Sequence, residues 1–286
     1  VDCTVEKKLC KRFNVKGYPT LQFYRDGDFH EYPLGRDKDS IIAFGEKMSD
    51  RAVTIVSTHE GATKELLHKI PVAFIVYDPS AASSAKTEEG YARDAVAIDA
   101  SGATDAEKEA EKIIQSTERT RVFGQVARKL QAQGSFGLLE TASAEEIAKF
   151  FGGAVVPSGG FVARIEEDVP IKIYDGEITS SALLDFVREN NLASVIELGG
   201  HNFRFVSRRG KAVAIAVYNP DDAVKTNKFR RELKQYAVGG VHKDEYVFGT
   251  MDGKKWDKFL SQFSIHKENL PELFVIDVPG RTYWQD

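Results

Sequence analysis

Two patterns typical of buried strands stand out along the chain, and each is followed by a proline. Val72 to Tyr77 and Ala212 to Tyr218 are apolar without interruption, and they lead into Asp78-Pro79 and Asn219-Pro220. Apolar runs of this length are typical of central strands that are covered on both faces. Because strand, tyrosine, acid or amide, and proline recur in the same order, the sequence predicts duplicated α/β units.

Shorter patterns predict the elements of residues 1–50. Val5, Leu9 and Phe13 recur at roughly helical spacing, and Thr20 to Tyr24 alternates as a strand does. Asp26-Gly27 is a hairpin-turn signal between that strand and its return. The predicted elements, in chain order, are a strand ending at Asp2, a helix capped by Thr4, strands at 20–24 and 29–34, and a helix around Ile41, Ile42 and Phe44 with Asp37 or Asp39 as its cap.

The same patterns continue through residues 51–286 and repeat the order of strands and helices. Residues 80–105 are rich in Ala, Ser, Thr and Gly and predict an insertion. Before and after it we expect strands at 53–57, 72–77, 136–139, 161–165 and 171–174, and helices at 63–70, 105–133 (interrupted near Gly124), 144–151 and 180–189. The last part predicts strands at 194–198, 211–218, 246–252 and 270–277, and helices at 201–207, 226–236 and 256–263.

Composition narrows the class of protein. The chain has 286 residues, so it is long enough for two or three domains. With 39 basic and 43 acidic residues it lacks the charge excess of a nucleic-acid binder and of an acidic calcium-storing protein. No apolar run approaches the roughly 18 residues of a membrane span. No hydrolase, zinc-protease or Walker motif is present, and the glycines at 152–153 and 158–160 are interpreted as turns.

The first fifty residues resemble the second half of a thioredoxin domain of the protein disulfide isomerase family. The resemblance rests on the segments VDCT, LC and GYPTL, followed by Gly35-Arg36-Asp37. Strand, Met251-Asp252-Gly253, helix, proline and strand are similar to the last domain of membrane-anchored thioredoxin-related isomerases. The resemblance implies an α/β fold of tandem thioredoxin-like domains, each a mixed central sheet flanked by helices. We expect a C-terminal half-domain at 1–50, a redox-inactive domain at 51–192 and a second, truncated one at 193–286.

The resemblance also implies roles for three residues of the first domain. In the family a cis proline, here Pro19, faces the active-site disulfide, and the residue before it, Tyr18, presents its backbone to an extended substrate. Arg36 occupies the position of an arginine that tunes the pKa of the buried thiol. The simpler interpretation is that Pro19 is only a turn residue and Arg36 only a surface cation. The catalytic Cys-x-x-Cys is absent from the sequence, so no catalytic residue is assigned.

Cys3 and Cys10 are the two cysteines of the chain, and three interpretations stay open. They could form a structural disulfide, remain free buried thiols, or act as a redox pair. As a bridge they would close a short loop, for which chain entropy gives a stabilisation of about 2.5 kcal/mol. A redox role would need a helix N-terminus beside the thiolate. Six scattered histidines supply no matching ligands, so no metal site is expected.

Two further clusters lie in the last domain. Trp256, Phe259 and Phe263 share one predicted helix, and in the family an inactive domain often offers an apolar groove for unfolded chains. The simpler interpretation is a core, because an aromatic stripe at that spacing is more often core than groove. The basic residues Arg204, Arg208, Arg209 and Lys211 are interpreted as a solvated face rather than an anion site.

The resemblance implies a whole protein that exchanges disulfides in secretory clients in the lumen of the endoplasmic reticulum. Its partners would be unfolded or cysteine-containing secretory proteins; no cofactor and no nucleic acid are expected, and a membrane anchor would lie outside this chain. The chain by itself is expected to be inactive as an oxidoreductase. The alternative is a non-catalytic thioredoxin-fold chaperone or scaffold that binds unfolded clients.

Overall fold

The computed structural model describes residues 1–15, 17–25, 27–32, 38–67, 70–80, 117–140, 144–151, 160–199, 202–240, 242, 244–278 and 280–285. The chain divides into two units, Val1–Arg51 and Ala52–Asp286. The second unit contains two five-stranded sheets. The division into three domains at residues 50 and 192 remains a prediction.

The first unit consists of a helix, a hairpin and a second helix. These are α1 (Lys7–Arg12), β1 (Gln22–Arg25), β2 (Asp28–Glu31) and α2 (Lys38–Ser49), with β1 and β2 antiparallel. Phe44 and Met48 on α2 are 4% and 1% exposed and form its core. Phe23 of β1 packs edge-on to Phe44 at 6.2 Å between ring centroids, so the hairpin covers the apolar face of α2.

The start of the first unit differs from the prediction. Asp2 does not end a strand, and α1 begins at Lys7 after Glu6 rather than after a threonine cap. The backbone N–H and hydroxyl of Thr4 both donate to Asp2 Oδ1, at 2.8 and 2.7 Å. Thr4 therefore closes a local turn with Asp2, a known alternative to capping for short polar side chains.

The first sheet of the second unit is mixed, with four of its five strands running in one direction and one running against them. Its elements are β3 (Thr54–Val56), α3 (His59–Leu66), β4 (Val72–Tyr77), α4 (Glu118–Leu130), β5 (Ser135–Leu139), α5 (Ala144–Phe150), β6 (Phe161–Glu166), β7 (Lys172–Tyr174) and α6 (Ser180–Asn190). The strand order is β3-β5-β4-β6-β7, in which β3 and β4 pair in parallel with β5, and β6 pairs antiparallel with both β4 and β7.

The central strand β4 has a separate core on each face, as its unbroken apolar sequence predicts. Phe74 belongs to the core that includes Phe123 of α4 and Leu183 of α6. Ile75, on the opposite face, belongs to the core that includes Leu66 of α3. Alternate residues of a strand point to opposite faces, so two layers of helices cover the sheet.

Helix α4 runs through Gly124 without interruption, so the predicted break there is wrong. Thr117 caps the helix and forms a reciprocal capping box with Thr120. Gly124 is buried on the core face of the helix. A helical glycine costs about 1 kcal/mol relative to alanine, and the burial of the neighbouring Phe123 and Val126 offsets that cost.

The second sheet repeats the topology of the first. Its elements are β8 (Ile196–Glu197), α7 (Phe203–Ser207), β9 (Ala212–Tyr218), α8 (Ala223–Val238), β10 (Tyr246–Asp252), α9 (Asp257–Leu260), two 3₁₀ turns (Ser261–Phe263 and Lys267–Asn269), β11 (Glu272–Asp277) and β12 (Thr282–Gln285). The order is β12-β11-β9-β10-β8, in which β8 and β9 pair in parallel with β10, and β11 pairs antiparallel with both β9 and β12. Numbered within each sheet, both read 1-3-2-4-5, which confirms the predicted duplication and the α/β class. Strand β12 was not predicted.

A buried ion pair holds the first sheet to the connecting segment, residues 191–195, which leads into the second sheet. Arg164 and Glu166 of β6 are paired, with side chains 9% and 6% exposed. Arg164 also donates to the carbonyls of Asn190 and Leu192, at 3.0 and 3.1 Å. Glu166 accepts from the backbone N–H and the hydroxyl of Ser194, at 3.0 and 2.8 Å. Both members of the pair therefore hold the connecting segment against β6.

No helix in the described part of the chain is both long and apolar enough to span a membrane.

Candidate functional site

A cavity of about 620 Å³ in the first unit collects most of the residues that the resemblance singled out. Tyr18 and Pro19 lie in its wall together with Cys3 and Cys10, and apolar side chains such as Phe29 complete it. The Tyr18–Pro19 peptide bond is cis. The Tyr18 side chain is 71% exposed, so it can be reached by a partner in solution. The structure thus brings Tyr18, Pro19 and the two cysteines to one surface.

Cys3 and Cys10 are joined by a disulfide, with Cα atoms 5.7 Å apart. Neither cysteine is a free thiol. The bridge ties the segment before α1 to Cys10, which is the buried residue of that helix. Cys10 lies four residues into α1 rather than at its N-terminus, so the helix dipole gives its sulfur little support as a thiolate.

Arg36 lies outside the described residues, and its role stays a prediction from the resemblance. The predicted turns at 152–153 and 158–159 also lie outside the described residues, as does nearly all of the predicted insertion at 80–105. The position of Pro19 does recur in the second sheet. There Leu270–Pro271 is a second cis peptide bond, immediately before β11.

The end of the central strand in the first sheet carries an ion pair that sequence patterns missed. Asp78 follows β4 directly and is 6% exposed. Its Oδ2 accepts from the hydroxyl of Thr117 at 3.1 Å and from Arg119 at 2.9 Å. The partners are 39 and 41 residues away along the chain, and no local spacing rule links them. Burial and the charge of Asp78 raise the pKa of the Tyr77 phenol.

The equivalent position in the second sheet holds a polar cluster around Glu197. The carboxylate accepts from the Tyr218 hydroxyl at 2.9 Å and from the Thr250 hydroxyl at 2.6 Å. Arg230 forms an ion pair with Glu197 and stacks over the Tyr218 ring at 4.1 Å. Burial and the hydrogen bond to Glu197 raise the pKa of Tyr218 to about 12. Tyr218 therefore stays a neutral donor at physiological pH, and the cluster has no sulfur nucleophile.

The three aromatic residues proposed as a client groove pack along the edge of the second core. Trp256, Phe259 and Phe263 are half-buried against it. Phe263 contacts the buried Phe274 at 4.8 Å and the exposed Tyr283 at 5.1 Å between ring centroids. They serve the core, as the simpler interpretation stated, and the groove stays a prediction for their exposed portion.

The basic cluster of the last domain is not uniformly solvated, so that interpretation is wrong for Arg209. Arg208 is exposed, but Arg209 is half-buried and donates to the Arg188 carbonyl and to Asn191 Oδ1. Its guanidinium also lies over the Phe205 ring at 5.1 Å. Burial lowers the pKa of Arg209. Both acceptors belong to the end of the first sheet's last helix, a contact that the sequence pattern does not contain.

Comparison with known proteins decides the family. A thioredoxin-like domain model matches residues 115–286, and a thioredoxin model matches residues 1–47. The chain belongs to the thioredoxin-like family. Protein disulfide-isomerase of Oryctolagus cuniculus is 26% identical over 96% of this chain, and that of Drosophila melanogaster is 24% identical over 96%. The match therefore extends through both sheets and confirms a thioredoxin-fold protein of the protein disulfide isomerase family.

Solved structures support the same fold. The crystal structure of human ERp44 form II matches with a TM-score of 0.53 at 16% identity, over 100% of this chain and 66% of that one. The bb fragment of ERp72 matches with a TM-score of 0.53 at 15% identity, over 82% of this chain and 89% of that one. The chain spans about half the length of the curated relatives it matches, 47% for the Oryctolagus cuniculus protein. Among the described residues no group of three or more His, Cys, Asp or Glu side chains is placed to hold a metal ion.

Proposed function

We propose that the protein assists disulfide formation and exchange in secretory proteins in the lumen of the endoplasmic reticulum. The observation that supports this most is the first-unit cavity, where Tyr18 and Pro19 lie beside the Cys3–Cys10 bridge at an accessible surface. In a family that acts on disulfides, that surface is suited to the backbone of an extended client. Similarity to protein disulfide-isomerases along 96% of the chain gives the proposal its chemical class.

The chemistry proposed for the whole protein is thiol–disulfide exchange. A thiolate attacks one sulfur of a disulfide, the new sulfur–sulfur bond forms a mixed disulfide, and the other sulfur leaves as a thiolate. The sequence contains no Cys-x-x-Cys, and its two cysteines are already bonded to each other. We therefore assign client binding to this chain and expect no disulfide turnover from it alone.

The first experiment measures insulin reduction by the purified chain in the presence of glutathione. The expected rate is the uncatalysed one, and the Cys3→Ser/Cys10→Ser variant should give the same rate. Turnover above the uncatalysed rate that the double variant loses would show that the bridge itself exchanges. That result would overturn the assignment of a purely client-binding role.

The second experiment measures client binding at the cavity by fluorescence anisotropy of a labelled, reduced and unfolded polypeptide. Tyr18→Ala should weaken binding several-fold, because an exposed aromatic side chain is a typical contact residue. Tyr236→Ala is the matched control, since Tyr236 is 48% exposed but belongs to the second unit and does not line this cavity. Equal effects of the two variants would contradict the role of the cavity.

A second candidate, holding of unfolded clients without redox chemistry, is favoured by the exposed aromatics of β12. Tyr283 and Trp284 are 52% and 56% exposed, and Tyr283 continues the half-buried row that includes Phe263. Exposed apolar patches of this kind mark interaction sites more often than ordinary surface. The variant Tyr283→Ser/Trp284→Ser should reduce suppression of client aggregation, while Val224→Ser, which changes an isolated exposed apolar residue, should not. Equal suppression by both variants would exclude the β12 surface.

A further inference from the structure

The second unit has a cleft of about 670 Å³ between its two sheets, distant in sequence from the first-unit cavity. We call it the junction cleft; it is lined by β6–β7, the end of α6, the connecting segment, the residues just before β9, the end of α8 and β10. Its volume lies within the range of about 300–1,000 Å³ that is usual for ligand sites, which often form between domains. Its wall mixes apolar residues such as Pro170, Val238 and Phe248 with four cations.

Two of these cations donate their hydrogen bonds within the described part of the chain to neutral oxygens. Arg209 donates to the Arg188 carbonyl and to the Asn191 amide oxygen. Lys172 donates to the Asn190 amide oxygen at 2.7 Å. Among the described residues, no carboxylate lies within ion-pair distance of either side chain. A half-buried guanidinium without a carboxylate is incompletely compensated, because carbonyl oxygens carry only partial charge.

The other charged groups of the cleft do not cancel this excess. Arg164 is already neutralised by Glu166. The two acids of the lining, Glu189 and Asp244, are both exposed at the rim, where water screens them. Arg209 therefore places a positive charge in the half-buried part of the cleft beside an apolar wall, and Lys172 adds an exposed cation.

We propose that the junction cleft binds an acidic segment of a partner polypeptide, with an Asp or Glu side chain on Arg209 and Lys172. The planar guanidinium suits a carboxylate, which accepts two parallel hydrogen bonds from it. The wall at Pro170, Val238 and Phe248 accommodates an apolar side chain next to the acid. Arg209 then has two functions: it links the two sheets and it receives the carboxylate.

Contacts across the junction between the two sheets are already present without a bound peptide. Lys234 of α8 donates to the Glu167 carbonyl at 2.9 Å and lies 3.7 Å from Asp168. This contact joins α8 to the β6–β7 turn, and Arg209 joins the segment before β9 to the end of α6. A site that is formed in advance loses less entropy when it binds a peptide.

The test uses the full chain and a short fluorescent peptide of alternating Glu and Leu, acetylated and amidated at its ends. Anisotropy should show saturable binding that weakens with added salt, because the contact is ionic. The matched peptide with Gln for Glu should bind at least tenfold more weakly. Arg209→Gln should lower affinity for the acidic peptide roughly 10- to 100-fold, since it removes hydrogen bonds to a charged group. Arg208→Gln is the control, as Arg208 is exposed and does not line the cleft.

Lys172→Gln keeps the test valid should Arg209→Gln fail to fold. It replaces an exposed side chain, so it should weaken binding of the acidic peptide without changing the temperature of thermal unfolding. A Gln/Leu peptide with a free terminal carboxylate separates side-chain from chain-end recognition. The proposal would be overturned if the peptide with the free carboxylate, or the Gln peptide with blocked ends, bound as tightly as the acidic peptide. It would also be overturned if no saturable binding were seen, or if Lys172→Gln bound the acidic peptide with unchanged affinity.

Discussion

The buried Arg164–Glu166 pair gives the sharpest stability prediction. Glu166→Gln keeps the shape of the side chain and one acceptor oxygen for Ser194, but it removes the negative charge beside Arg164. Arg164 would stay trapped by its bonds to the Asn190 and Leu192 carbonyls. The substitution therefore leaves a cation that is 9% exposed without its counter-ion.

The expected loss follows from that burial. Breaking a buried pair by removal of one partner costs about 3–5 kcal/mol, because the remaining charge cannot return to water. The neutral amide still accepts one hydrogen bond, so we expect a value near the lower end, about 3 kcal/mol. A typical domain is stable by only about 5–15 kcal/mol, so the effect is large. The double variant Arg164→Met/Glu166→Met should recover part of it, since no buried charge remains.

Urea unfolding followed by far-ultraviolet circular dichroism measures the difference. The control is Glu145→Gln, which removes a partner of Lys149 at 3.7 Å on an exposed helix and should cost no more than about 0.5 kcal/mol. If Glu166→Gln unfolds within about 1 kcal/mol of the unchanged protein, the pair does not carry the junction and the reasoning from burial is refuted.

Two further predictions concern one glycine and one tyrosine of the second unit. Gly160→Ala should destabilise the protein by at least about 2 kcal/mol, because φ is +81° and the new Cβ would lie 2.7 Å from the Tyr77 carbonyl oxygen. The control Gly210→Ala, at φ +71° with open space around it, should show only the backbone strain of about 1 kcal/mol. Equal losses of stability in thermal unfolding would contradict the steric argument. Tyr218 should ionise near pH 12 in absorbance titration. Because its folded pKa lies above the value of about 10 for an unfolded tyrosine, its contribution to stability is complete below pH 10 and falls as the pH rises to 12. Tyr218→Phe should remove that part of the pH dependence, and an unchanged dependence would contradict the role of the hydrogen bond to Glu197.

The periodicity of the chain predicts the sheet cores well because it records burial directly. Both central strands, β4 and β9, lie where unbroken apolar runs are found, and their helices follow the 3.6-residue spacing. Strand β12 was not predicted because all four of its residues are exposed, so they show no pattern of burial, and the strand pairs along only one edge. The turn at Thr4 was not predicted because the Thr4 hydroxyl donates to the Asp2 carboxylate, two residues away, instead of capping the helix.

The sites depend on contacts that are distant in sequence, and these cannot be predicted from local spacing. Cys3 and Cys10 lie seven positions apart and were recognisable as a candidate bridge. Arg164 interrupts an otherwise apolar strand because it donates to two backbone carbonyls, 26 and 28 residues further along the chain. Arg209 similarly looked like a surface cation because its acceptors belong to the other sheet.

The distribution of cysteine separates two kinds of function within this chain. Residues 51–286 contain no cysteine, so the second unit cannot form a mixed disulfide with a client. Both of its central strands end instead at polar clusters, an ion pair at Asp78 and a carboxylate network at Glu197, which satisfy the strand ends without sulfur. Whatever the second unit contributes to disulfide exchange must therefore be non-covalent. It follows that binding at the junction cleft should be the same under oxidising and reducing conditions, whereas any function that depends on the Cys3–Cys10 bridge should change between them.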